Sequence, residues 1–100
     1  MTEIYYDDAA LRVEARGHAG YAQAGEDIVC AALTALMCTL PAALTGRGIR
    51  IEYRPTPEYS LTALPRSDQR YPCLVVMETI LEGLKLLERD YPENVRVERR

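Results

Sequence analysis

The chain has 100 residues, 48% of them apolar, with seven Tyr, no Phe and no Trp, and a formal charge of −3. That length fits one domain over residues 1–100 with one modest core, and a basic cluster only at Arg96, Arg99 and Arg100 argues against direct nucleic-acid binding. No secretory signal is visible, and the most apolar stretch, residues 28–44, is interrupted by Pro41 and several polar residues, so no membrane segment is expected.

Residues 3–6 and 10–16 flank the turn Asp7-Asp8-Ala9. Leu11, Val13 and Ala15 alternate with Arg12, Glu14 and Arg16, the period of a half-buried strand. Gly17 ends that strand, and the small residues from Ala19 to Glu26, with Gly20 and Gly25 among them, read as a mobile loop. Asp27 is an N-cap candidate for the apolar run from Ile28 to Leu40. That helix is apolar on almost every face and so needs covering on two sides, which in so small a domain favours a homodimer. Pro41 is expected to stop or kink it, and Gly46 and Gly48 to close the segment.

Ile49 to Arg54 alternates again, Pro55 and Pro57 break the pattern, and residues 58–63 resume it. After the loop Pro65-Arg66-Ser67-Asp68, Pro72 fits the first turn of a second helix. Leu74, Met77, Leu81, Leu84 and Leu87 recur there at spacings of three and four as far as Asp90. Val95 and Val97 mark a last short strand. The order ββαββαβ predicts an α+β domain, with two helices packed on a largely antiparallel sheet.

The three Cys lack CxxC spacing, so neither a disulfide framework nor a metal cluster is indicated, and a reducing cytoplasm is the expected setting. His18 is the only histidine and lies twelve positions before Cys30. A loop that folds back would carry His18 from the end of the strand to Cys30 in the helix's first turn. There the unpaired N–H groups and the positive dipole end favour a thiolate and could serve an oxyanion. Gly20 and Gly25 would be the hinges of that loop. The plainer reading makes Cys30 a packed thiol in an apolar helix, as Cys38 and Cys73 are read, and Asp27 only a cap. Asp27 could instead orient His18.

Gly17-His18-Ala19, a spacer, then Gly25-Glu26-Asp27-Ile28-Val29-Cys30-Ala31-Ala32 resembles the signature of the Prp (YsxB-like) family of ribosomal-processing cysteine proteases. The resemblance covers essentially the whole chain. It implies Cys30 as nucleophile, His18 as base and Asp27 as the motif aspartate, with no cofactor. It also implies removal of an N-terminal extension from a large-subunit ribosomal protein by a cytoplasmic homodimer, cutting after an aromatic residue. That aromatic needs an apolar pocket, for which Tyr21, Ala19 and Ala22 are the nearest candidates. Thr34 stands where the family usually has Ser. The alternative is a non-catalytic factor that binds a ribosomal protein or an assembly intermediate.

Overall fold

Alternation of apolar and polar side chains builds the first hairpin. In the computed structural model, which describes residues 1–23 and 25–100, β1 (Thr2–Asp7) pairs antiparallel with β2 (Arg12–Arg16). Ile4, Tyr6 and Val13 turn inward and are buried. The turn between the strands closes where an Asp7 carboxylate oxygen accepts the Ala10 N–H at 3.0 Å. The chain continues through α1 (Ile28–Gly46), β3 (Arg50–Arg54), β4 (Tyr59–Leu64), a 3-10 turn at Ser67–Gln69, α2 (Arg70–Asp90) and β5 (Val95–Arg99).

The five strands lie in the order β3-β4-β2-β1-β5. Every neighbouring pair is antiparallel except β1 and β5, which run parallel. Both helices cover the sheet and pack on each other, and Leu40, Leu44, Met77 and Leu84 from them complete the core with Ile4, Tyr6 and Leu61. Burying each such aliphatic side chain contributes about 1.5–3 kcal/mol. The α+β class and the element order are those expected. Glu88 blunts the outer edge by accepting the Val97 N–H at 2.7 Å.

Pro41 neither stops α1 nor shortens it: the helix runs on to Gly46. A proline at this position has no N–H to offer the carbonyl of Met37, four residues back. The Tyr59 hydroxyl on β4 donates to that carbonyl at 2.8 Å, so the bond lost by Pro41 is replaced from the sheet. The apolar run that Pro41 was expected to interrupt is thus one continuous helix. Over its most apolar window α1 has a mean hydropathy of 2.0, enough by length and composition to cross a bilayer. In this fold Val29, Leu33, Met37, Leu40 and Leu44 are instead buried in the protein's own core.

Candidate active site

The β2–α1 connection begins under tight restraint. Gly17 has φ +85°, and a Cβ there would collide with the carbonyl oxygen of Met1, so only glycine lets the chain pass the N-terminal strand. Ala19 is 1% exposed, and its carbonyl accepts a hydrogen bond from the Asn94 side-chain amide at 2.9 Å. Between these two fixed points the His18 side chain is exposed.

The connection closes on Asp27. One carboxylate oxygen accepts the Cys30 N–H at 2.8 Å, which makes Asp27 the N-cap of α1. The other accepts the N–H groups of Tyr21 at 3.1 Å and Ala22 at 3.4 Å, tying the loop to the helix start. These donors, the Cys30 N–H first among them, hold the Asp27 carboxyl below its ordinary pKa. No hydrogen bond joins Asp27 to His18, or His18 to Cys30, among the described residues. Asp27 thus serves the helix and the loop in this conformation, and one of the helix-start N–H groups expected to serve an oxyanion, that of Cys30, is the cap's donor.

The strand exit, the loop and the helix start enclose a cavity of about 830 Å³. His18, Gly20, Ala22 and Gly25 form its loop side. Cys30, Ala31, Thr34 and Ala35 form its floor on α1, with Asp27 at the junction. The proposed hinges Gly20 and Gly25 both have positive φ and both line the cavity. Of the pocket candidates, Ala22 faces it, whereas Ala19 and Tyr21 do not. Ala19 is drawn into the core, and Tyr21 packs edge-on against Tyr91, ring centroids 5.4 Å apart. Ala24, inside the loop, lies outside the described residues.

The other two thiols stand apart from this cavity. Cys38 is exposed further along α1, and Cys73 is buried in α2, where burial raises its pKa. No cluster of metal-ligating side chains occurs among the described residues. A lone imidazole and a thiol lining one open cavity suit nucleophilic acyl transfer once a substrate draws them together. Two features were missed in the sequence. Ala31 and Ala35 were detectable as small residues one and five positions after Cys30. Asn94 and Tyr91 carried no local signal linking them to a loop some seventy residues earlier.

Residues 1–96 match the family described as Cysteine protease Prp. The Ribosomal processing cysteine protease Prp of Bacillus subtilis (strain 168) is 31% identical over 98 residues, spanning 92% of this chain and 88% of its own. Two crystal structures share the fold. One is an essential ribosomal processing protease Prp from S. aureus with a covalently linked product peptide, at TM-score 0.83 and 23% identity, covering 99% of this chain and 97% of that one. The other is SMU.848 from Streptococcus mutans, at TM-score 0.68 and 24% identity, covering 99% and 93%. With the family profile spanning nearly its whole length and His18, Asp27 and Cys30 of the signature lining one cavity, this chain belongs to the Prp family of cysteine proteases.

Proposed function

We propose that this protease removes an N-terminal extension from a large-subunit ribosomal protein, with Cys30 as nucleophile and His18 as general base. The observation that carries the residue assignment is that the only histidine and one of the three cysteines line the same cavity. His18 takes the thiol proton, and the thiolate attacks the scissile carbonyl carbon. As the C–N bond breaks, His18 returns the proton to the leaving amine, and water then hydrolyses the thioester. Asp27 supports the step by capping the helix that presents Cys30 and by holding the loop. For the oxyanion, the substrate must win a donor from the cap or use one of its neighbours.

The small residues of the floor leave room for a large apolar side chain, which supports cleavage after an aromatic residue, with Ala22 on the wall beside it. A cytoplasmic setting is compatible with three unpaired cysteines. A homodimer is supported by the outward face of α1 beyond the cavity, where Ile28, Cys38 and Ala42 are exposed. Sedimentation at micromolar concentration should give twice the chain mass, and a monomer throughout that range would rule the dimer out.

The deciding experiment uses a panel of peptides spanning candidate extension junctions. The wild-type protein should cleave one after its aromatic residue. Cys30→Ala should abolish cleavage, and His18→Ala should lower the rate by about 10²–10⁴. Cys38→Ala and Cys73→Ala should stay active. Cleavage that survives Cys30→Ala would remove the assignment.

A further inference from the structure

The loop before α1 is held in two different ways: its second half hangs on Asp27 at the helix start and on Tyr91, and its first half is fixed to the N-terminus and to Asn94. Gly17 presses against the Met1 carbonyl, and Ala19 is buried with its carbonyl on Asn94. From Gly20 to Glu26 every described residue is exposed. His18 belongs to the first half. Its backbone is held on both sides, and its side chain is exposed.

Asn94 is more than a single contact. Its own N–H donates to the Tyr91 carbonyl at 2.9 Å, which sets the turn between α2 and β5. Its carbonyl accepts the Thr2 N–H at 2.9 Å at the start of β1. Its side chain then reaches Ala19, so one residue ties the catalytic loop to the edge of the sheet and the end of α2. Tyr91 adds the edge-on contact with Tyr21 on the far side of Gly20. Asn94 lies outside the cavity and touches none of the reacting groups.

Resting on the assignment of His18 as base, we propose that Asn94 is a positioning residue, which through Ala19 fixes the His18 backbone at the rim of the cavity that Cys30 lines. A base already held in place lowers the ordering cost of reaching the attack geometry, and small misplacement of such a group can cost about 10²-fold in rate.

Backbone relaxation of the free protein tests this directly. Gly17, His18 and Ala19 should show order parameters near those of rigid backbone, about 0.85, and Gly25 clearly lower values. His18 as mobile as Gly25 in the wild-type protein would overturn the proposal without any variant. Asn94→Asp keeps the side-chain shape but replaces the donor amide by a carboxylate. It should raise mobility at His18 and lower kcat by ten- to a hundredfold while KM stays within twofold. The iodoacetamide reactivity of Cys30 against pH should shift toward the profile of His18→Ala. An Asn94→Asp protein with wild-type kcat and thiol profile would overturn it, as would losses of kcat and KM in step with global unfolding. Activity that His18→Ala leaves intact would instead remove the base assignment on which the proposal rests.

Discussion

The two helices cover the same sheet, yet their outward faces are built on opposite plans. α2 is amphipathic in the usual way. Cys73, Met77, Ile80, Leu81 and Leu84 point inward, and Arg70, Glu82, Lys85 and Arg89 meet solvent. α1 has no charged side chain along its whole length, and its exposed positions are largely Ala, Thr and Cys. A helix that only closed a core would gain solubility from charges on that face. Leaving it small and apolar makes sense for a surface that other groups approach closely, and the cavity around Cys30 occupies its N-terminal part. α2 thus supports the fold alone, whereas α1 also floors the cavity.

The sharpest way to break that contrast is to load both outer faces with bulk. Ala35→Trp on α1 should fill the cavity floor and reduce kcat/KM on a cleavable peptide by ten- to a few-hundredfold, about 1–3 kcal/mol of pocket contact. Val75→Trp on α2, at an exposed position, should leave it within twofold. Equal losses from the two would mean that the faces do not differ in function.

A smaller effect concerns how α1 survives its proline. Tyr59→Phe leaves the Met37 carbonyl without its donor and should cost about 1–3 kcal/mol in denaturant unfolding. Adding Pro41→Ala restores a backbone N–H four residues on, so the double variant should recover most of that loss. Strictly additive losses in this cycle would show that Tyr59 does not compensate for Pro41.

The weakest effect lies at the helix starts. α1 is capped by a carboxylate, and α2 has no side-chain cap of its own. Because the folded protein lowers the Asp27 pKa, this carboxylate contributes stability above the ordinary Asp value near 4, and the contribution fades as pH falls through the lowered value. The amide signals of Tyr21, Ala22 and Cys30 should therefore shift together below about pH 4, with the first turn of α2 unaffected. Asp27→Asn should remove that titration, and its persistence would place the titrating group elsewhere.

Much of this architecture was legible in the amino-acid order itself. Strand alternation in Leu11-Val13-Ala15 and helical spacing in Leu74-Met77-Leu81-Leu84 are local patterns, set by periods of two and 3.6 residues, and they specify element type without reference to distant partners. The His18–Cys30 signature was legible for the same reason: its members sit on consecutive elements. Other features were decided only by the tertiary structure. The parallel pairing of β1 with β5 joins the two ends of the chain, and Tyr59 rescues a helix broken on paper by Pro41. Beyond the cap expected of it, Asp27 also took the Tyr21 and Ala22 amides, and Asn94 reached back to Ala19. In each of these a polar group finds a partner that no period predicts. Which donor meets which acceptor depends on the packing of the whole sheet, because a polar group left unpaired there would be costly and the nearest available partner takes it.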